Sequence, residues 1–171
     1  MVSLYASRPI RQAGAEHVGH LLALSLMKHI VIGVDGSPAS QQAVQLGLSL
    51  AASLGAGVAF VHFSRLAEGV YREDPDDGPS QQRIEEADPV LREAAEAARA
   101  HGVPARLILQ ESDMIAPELA GVAEGLDADL LVVGNRGRSE IADVVLGSVS
   151  HELLRMSTVP VVVVKAGAAK S

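Results

Sequence analysis

Five short apolar runs, separated by longer amphipathic stretches, constrain the fold of this chain more than any other feature of its sequence. The runs are rich in Val, Ile and Leu and cover residues 29–34, 58–63, 105–110, 129–133 and 159–164. The last four are mostly continuous rather than alternating, which is typical of strands buried on both faces of a parallel sheet. Because strands that alternate with helices form right-handed βαβ units, the sequence predicts a single doubly wound, Rossmann-like α/β domain with helices on both faces.

The first amphipathic stretch has clear helix boundaries. Ser37 is a favoured N-cap residue, Pro38 suits the first helical position, and Gly55 is a typical helix end. Residues at helical spacing are expected to form its buried face, namely Ala43, Leu46, Gly47, Leu50 and Leu54. A helix is therefore predicted between the first two strands.

Three further helices are predicted on the same grounds. The second begins at Asp88 and Pro89 and ends at Gly102, with residues 80–87 as a turn that leads into it. The third and fourth carry apolar residues at helical spacing: Ile115, Leu119, Val122 and Leu126 in one, and Val149, Leu153 and Met156 in the other. Residues 64–80 contain two Gly and two Pro and are predicted to be a long connecting loop.

Composition excludes several classes of function. Aromatic residues make up 2% of the chain and its formal net charge is −7, whereas nucleic-acid binding requires a basic surface and, for single strands, aromatic stacking. No window approaches the roughly 18 consecutive apolar residues of a membrane span. The absence of Cys fits a reducing compartment. We therefore expect a cytoplasmic protein that binds neither nucleic acid nor membranes.

The acidic residues are concentrated in one stretch. Residues 72–96 hold nine acidic and three basic residues, and so carry −6 of the net charge of −7. We interpret this stretch as a solvated loop followed by a surface helix. An acidic docking patch is the alternative interpretation.

The domain is predicted to span residues 28–165. Residues 1–27 lie before the first strand and are interpreted as an N-terminal extension, with a docked amphipathic helix as the alternative. Residues 166–171 are interpreted as a C-terminal tail. At 171 residues, the chain has the length of one domain.

The most informative motif lies between the fourth strand and the fourth helix. Gly134, Gly137 and the pair Gly147 and Ser148 fit the spacing G-x2-G-x9-G-S. Glycine allows the backbone to approach a ligand closely, and the N–H groups at a helix N-terminus attract anions. The motif predicts a phosphate-binding loop, and the alternative is that the glycines only form turns.

Polar side chains around this motif suit the same role. Ser148 and Ser150 would add hydroxyl donors, and Arg136 would add a positive charge, as would Arg138. The backbone at the second and third glycines is expected to need a positive φ. A second candidate, a metal site between His29 and His62 on neighbouring strands, lacks a third ligand at suitable spacing, so no metal site is predicted.

The motif closely resembles the nucleotide-binding loop of the universal stress protein family. The resemblance extends to the segments HIVIGVDGS, VHF, DLLVVG and VPVVVVK at residues 29–37, 61–63, 129–134 and 159–165, and so covers residues 28–165. It implies a five-stranded parallel sheet in the order 3-2-1-4-5. The glycine spacing resembles that of the ATP-binding branch of the family.

Carried over by position, the resemblance implies which residues would bind a nucleotide. They are Gly33, Val34, Asp35, Phe63, Val133, Gly134, Asn135, Arg136, Gly137, Arg138, Gly147, Ser148, Val149 and Ser150. Asp35 and the backbone before it would hold the adenine or ribose, Phe63 would lie against the base, and residues 147–150 would bind the outer phosphates. Glu140 and Asp143 lie within the spacer and depart from this pattern, because a carboxylate that pointed inward would repel phosphate or make Mg²⁺ obligatory.

The resemblance thus implies a small stress-response module that binds ATP, with Mg²⁺. We expect a homodimer formed through residues 159–165, because an uncovered apolar edge strand is an aggregation hazard. No lysine or water-positioning carboxylate is evident near the phosphate loop, so no catalytic residue is predicted and at most weak ATPase activity is expected. The alternatives are a slow ATPase or nucleotidyl-transfer enzyme, a protein that binds AMP or cyclic AMP, and an interaction module that binds no nucleotide.

Overall fold

Five parallel strands form one sheet in the order β3-β2-β1-β4-β5. The structure, a computed structural model, describes residues 27–72, 79–137 and 146–166. The strands are β1 (His29–Gly33), β2 (Gly57–Phe63), β3 (Ala105–Gln110), β4 (Leu130–Gly134) and β5 (Val161–Val164). All four neighbouring pairs are parallel. The predicted fold class and strand order are confirmed.

Six helices in the described residues cover the two faces of this sheet. They are α1 (Pro38–Leu54), α2 (Leu66–Arg72), α3 (Gln81–Ala87), α4 (Pro89–His101), α5 (Ile115–Gly125) and α6 (Ser148–Met156). Buried residues of α1 to α4 share one hydrophobic core with β1, β2, β3 and β4, and α5 and α6 form a second core on the opposite face. None of these helices combines the length and the apolar character that a membrane span requires.

The helix boundaries read from the sequence are confirmed. The hydroxyl of Ser37 accepts a hydrogen bond from the N–H of Ser40 at 3.2 Å, and α1 ends at Gly55, whose φ is 65°. The carboxylate of Asp88 likewise accepts from the N–H of Leu91 at 2.9 Å and caps α4. Local capping chemistry therefore sets where these helices begin and end.

The predicted buried face of α1 is partly wrong. Leu46 is 39% exposed, whereas Leu48 is fully buried. The helix packs on the sheet through a face rotated toward Val44 and Leu48, with Gly47 so close to Ile32 that a side chain there would overlap it. Gly47 belongs to the predicted and to the observed face, so the error is a rotation of the helix about this contact.

The connection between β2 and α4 also differs from the prediction. Residues 66–72 form α2 instead of a loop, and α3 is a helix of its own rather than a turn leading into α4. Proline disfavours a helical conformation in the residue before it, and Asp88, before Pro89, accordingly has φ −116° and ψ 109°. The two helices are therefore separate, and residues 73–78 lie outside the described part.

The predicted acidic surface is described only at residues 79–96, since residues 73–78 lie outside the described part. Glu86, Glu93 and Glu96 are exposed, but Asp88 has no exposed surface. Its Oδ2 lies 2.8 Å from Nδ1 of His62, which is itself 7% exposed. The interpretation as a solvated surface is therefore wrong for Asp88, which joins the start of α4 to the end of β2.

Candidate functional site

A cleft of about 370 Å³ opens at the carboxyl ends of β1, β2 and β4. It lies where the strand order reverses between β1 and β4, which is the usual ligand position in doubly wound sheets. Twelve of the fourteen residues with a predicted binding role line it: Gly33, Val34, Asp35, Phe63, Val133, Gly134, Arg136, Gly137, Gly147, Ser148, Val149 and Ser150. Asn135 lies behind the lining, and Arg138 is outside the described residues, as are Glu140 and Asp143.

One side of the cleft is apolar. Val61 and Phe63 from the end of β2 face Ile115 and Leu119 from the start of α5, with Val133 of β4 beside them. Val61, Leu119 and Val133 are almost fully buried, and Phe63 is half-buried. This side can accommodate a flat, weakly polar group.

The turn after β1 carries a carboxylate that is hydrogen-bonded to its own loop. Oδ1 of Asp35 accepts from the N–H of Ser37 at 2.9 Å, and the N–H of Asp35 donates to the hydroxyl of Ser40 at 3.1 Å. Gly36 between them has a φ of 77°, which favours glycine. The turn therefore holds Asp35 in place and closes the N-terminus of α1 with side chains.

Two glycines of the cleft lie close to atoms of neighbouring elements. A Cβ atom on Gly134 would lie 2.8 Å from the backbone nitrogen of Ser40, and one on Gly33 would lie 2.8 Å from Cδ2 of Leu119. The first distance concerns rigid backbone, so α1 could not keep its place beside a side chain at position 134. Gly134 is thus explained by the contact between β4 and α1, whatever occupies the cleft.

The loop after β4 is held together by the carbonyl group of Asn135. This oxygen accepts from the N–H of Gly147 at 2.6 Å and from the hydroxyl of Ser150 at 3.0 Å. The Ser150 hydroxyl also lies 3.1 Å from the carbonyl oxygen of Gly147. Its single proton is therefore used within the loop, and the expectation that Ser150 offers a hydroxyl donor to a ligand is wrong.

The expectation of positive φ angles at Gly137 and Gly147 is also wrong. Gly147 has φ −72° and ψ 165°. Within the described ranges the glycines with positive φ are Gly36, Gly55 and Gly102. Gly137 and Gly147 instead provide space, since Cβ atoms there would lie 2.8 Å from Oδ2 of Asp35 and 3.3 Å from the carbonyl oxygen of Asn135.

Helix α6 begins at the cleft without a side-chain cap. Its N-cap residue is Gly147, which has no side chain to accept from the first turn. The first N–H groups of a helix have no partner within the helix and carry its positive partial charge. Since Ser148, Val149 and Ser150 line the cleft, this end of α6 is suited to an anion.

Several lining residues were not identified from the sequence: Ser40, Val61, His62, Ile115 and Leu119. Ile115 and Leu119 carried an apolar helical pattern, but only the position of α5 beside β2 brings them to the cleft. His62 and His29 lie at opposite ends of paired strands, about 16 Å apart along the strand direction. They cannot share a metal ion, and the described residues contain no group of three metal-ligating side chains.

Comparison with known proteins identifies chains that are similar to this one over most of its length. The model of the universal stress protein family matches residues 27–165. Universal stress protein YxiE of Bacillus subtilis is 30% identical over 149 residues, which are 82% of this chain and 100% of the relative. Universal stress protein Rv1636 of Mycobacterium tuberculosis is 33% identical over 148 residues, which are 82% of this chain and 98% of the relative.

Solved structures give the same result. A universal stress protein crystallised in complex with cAMP is 30% identical, with a TM-score of 0.60 over 82% of this chain and 98% of that one. The protein MJ0577 shares the fold at 20% identity, with a TM-score of 0.66 over 84% of this chain and 99% of that one. Each match thus extends over nearly the whole length of the solved protein and over 82–84% of this chain.

Proposed function

The chain belongs to the universal stress protein family, and from this premise we propose that it binds an adenine nucleotide, ATP with Mg²⁺, in the cleft at the ends of β1, β2 and β4. The observation that supports this most is the uncapped N-terminus of α6 opposite an apolar wall. A nucleotide matches both features, since its aromatic base suits the apolar wall and its anionic phosphate chain suits the helix N-terminus.

The base and ribose fit the β1 and β2 side. The apolar side chains of Val61, Phe63 and Leu119 would pack on the adenine, since aromatic bases gain from contact with apolar surface. Asp35 would accept hydrogen bonds from ribose hydroxyl groups, as acidic residues do in other nucleotide folds. The N–H of Val34 already donates to the carbonyl oxygen of Val61 at 2.9 Å, so Val34 would offer only its carbonyl group.

The phosphates fit the β4 and α6 side. The N–H groups of residues 148–150 and the exposed hydroxyl group of Ser148 would donate to phosphate oxygens. Arg136 also lines the cleft and would add a positive charge. Mg²⁺ would be held mainly by phosphate oxygens and water, which is its usual mode with nucleotides.

Cyclic AMP is the second candidate ligand, because a relative with 30% identity was solved in complex with it. Cyclic AMP and AMP have a single phosphate, whereas the spacing G-x2-G-x9-G-S and the open helix end provide room and donors for a longer chain. The two ligands differ in how far they reach along α6. Contacts at Ser148 therefore discriminate between them.

The first experiment identifies the nucleotide that purifies with the protein, which is released by heat and analysed by mass spectrometry. The second experiment titrates ATP, AMP and cyclic AMP into the protein by calorimetry, with and without EDTA. We expect ATP to bind more tightly with Mg²⁺, and Asp35→Ala to weaken binding at least about tenfold with an unchanged circular dichroism spectrum. Tighter binding of cyclic AMP than of ATP would select the second candidate. Binding of none of the three would leave an interaction module as the better explanation.

We also propose a homodimer formed through β5. This strand is at the edge of the sheet, its valines are half-buried, and Leu154 and Met156 of the adjacent α6 are 52% and 42% exposed. A second copy would cover this apolar edge and protect it from aggregation. Light scattering should give twice the chain mass of 17.8 kDa, and a monomer at micromolar concentration would contradict the proposal.

In this proposal the protein is a stress-response module rather than an efficient enzyme. Asp35 is the carboxylate among the described cleft residues, and it lies on the ribose side, where it accepts from Ser37. We therefore assign no catalytic residue and expect ATP hydrolysis slower than about 1 per minute. Faster turnover that persists through additional purification would favour the slow ATPase or nucleotidyl-transfer alternative.

A further inference from the structure

A second cavity, of about 410 Å³, lies at the opposite end of the sheet from the cleft. It is lined by the first residues of β1, β2 and β3 and by Leu126, which follows α5. Apart from His29 and Arg106, its lining is apolar or small. We call this cavity the foot groove.

The foot groove exists because the strands carry small side chains there. Ala59 of β2 lies on the face that α5 and α6 cover, and register places it between Val31 and Arg106. Gly57, two residues earlier on β2, is paired with His29. A Cβ atom on Gly57 would meet no atom closer than 3.7 Å. Arg106 is exposed and Leu126 is half-buried, so the groove is open to solvent on the side of β3.

The start of the described chain is fixed at the edge of this groove. The N–H groups of Lys28 and His29 donate to Oδ2 of Asp129 at 2.7 Å and 3.0 Å. These hydrogen bonds, that from His29 first, lower the pKa of Asp129 from its ordinary value. Because His29 also lines the foot groove, the residues before it leave the domain next to the groove.

We propose that the apolar run at residues 21–26 packs into the foot groove. The run has the sequence LLALSL, in which four of six residues are Leu. Six residues span up to about 20 Å when extended, which is enough to cover the groove from its anchored edge. The run is joined directly to that edge, and such short tethers give effective concentrations in the millimolar range, so a weak contact is populated.

This segment lies outside the part of the chain that matches the family, since the family model begins at residue 27. The proposal does not depend on nucleotide binding, because the foot groove and the cleft lie at opposite ends of the strands. Its test can succeed or fail independently of the proposed function.

The absence of Cys from the chain makes disulfide trapping in the full chain unambiguous. Leu24→Cys is combined with Arg106→Cys at the rim of the groove, or with Ser53→Cys, an exposed position near the end of α1, which packs on the opposite face and ends beside the start of β2. After mild oxidation, intramolecular disulfide should form at least about fivefold faster with the Arg106 partner than with the Ser53 partner. Equal rates, or a disulfide that joins two chains instead, would overturn the proposal.

A second measurement needs no cysteine. In the full chain, Leu22→Asp, Leu24→Asp and Leu26→Asp together should shift the NMR signals of the Gly57 and Ala59 amides, because the charged run can no longer pack on them. The matched control adds the same charge farther from the domain, with Ser7→Asp, Gln12→Asp and Gly14→Asp, and should leave both signals in place. Unchanged signals in the first variant would also overturn the proposal.

Discussion

Helices α1 and α6 both begin at the same edge of the sheet, but the N-cap residue supplies a capping side chain in α1 and none in α6. At α1, Ser37 caps the N–H of Ser40, and Asp35 accepts from the N–H of Ser37. At α6, the N-cap is Gly147, which has no side chain to accept from the first turn. Both helix ends have the same unsatisfied donors and the same positive partial charge.

The unpaired N–H groups at a helix N-terminus can therefore serve either folding or ligand binding. Where a chain satisfies a helix N-terminus with its own side chains, that end contributes to stability. Where the chain places glycine there and lines a cleft with the same donors, the end is available to an anion. We therefore expect changes at α1 to lower stability and changes at α6 to lower nucleotide affinity.

The largest expected effect is on stability, at the contact that seats α1. In Gly134→Ala the new methyl group would lie 2.8 Å from the nitrogen of Ser40 and 2.9 Å from the carbonyl carbon of Ala39. Because the backbone must shift, we expect the free energy of unfolding to fall by about 2–3 kcal/mol, measured by urea denaturation. An unchanged unfolding midpoint would show that α1 is not seated by this glycine.

The next effect is on affinity, at α6. Gly147→Val keeps an ordinary backbone conformation, since φ is −72° and ψ is 165° at this position, but its side chain would occupy the space beside the helix end. We expect ATP affinity to fall about tenfold to a hundredfold, or about 1.4–2.8 kcal/mol, by calorimetry. Gly121→Val, at an exposed position of α5 with nothing within 4 Å of its Cβ, is the matched control and should bind ATP normally.

A smaller effect is expected on removal of the α1 cap. Ser37→Ala deletes the acceptor for the N–H of Ser40 and should lower the free energy of unfolding by about 1 kcal/mol. The hydroxyl group of Ser37 also donates to the carbonyl oxygen of Arg136, in the loop after β4, at 3.3 Å. Because this second hydrogen bond is long, ATP affinity should change less than about threefold. A large loss of affinity without loss of stability would reverse the assignment of the two helix ends.

The smallest effect is expected at Ser148. Its hydroxyl group is exposed at the start of α6, so Ser148→Ala should leave the unfolding midpoint unchanged and weaken ATP binding about threefold, the loss of one modest hydrogen bond. Cyclic AMP, which reaches less far along the helix in our proposal, should lose less. Equal losses for the two ligands would place the single phosphate of cyclic AMP at this hydroxyl.

Local features of the sequence predicted much of this molecule. Ser37, Asp88, Pro89 and Gly55 act within a few residues of themselves, so their positions indicate helix boundaries directly. Continuous apolar runs predicted the strands, and β3 has the predicted bounds. The fold class followed from the alternation of strands and helices, whereas the strand order came from the resemblance to a family.

Features that depend on contacts between distant segments were predicted less well. The hydroxyl group of Ser150 was interpreted as a ligand donor, but the carbonyl group of Asn135, 15 residues away, takes up its proton. The predicted buried face of α1 is wrong at Leu46, which is exposed, and it omits Leu48, which packs in the core. Asp88 was counted in an acidic surface, although His62 from β2 covers it.

Capping, hydrophobic runs and glycine spacing are local properties of the chain. From them the sequence alone predicted where α1 and α4 begin and end, which runs are buried in the sheet, and which glycines and serines lie after β4. The role of each of those glycines depends on contacts between distant segments, which the sequence does not show. Gly134 makes room for α1, and Gly137 lies against Asp35, because β1 and β4 are neighbours in the sheet although about 100 residues separate them. The cleft forms where β1 pairs with β4, because this pairing brings together the ends of segments that are distant in sequence.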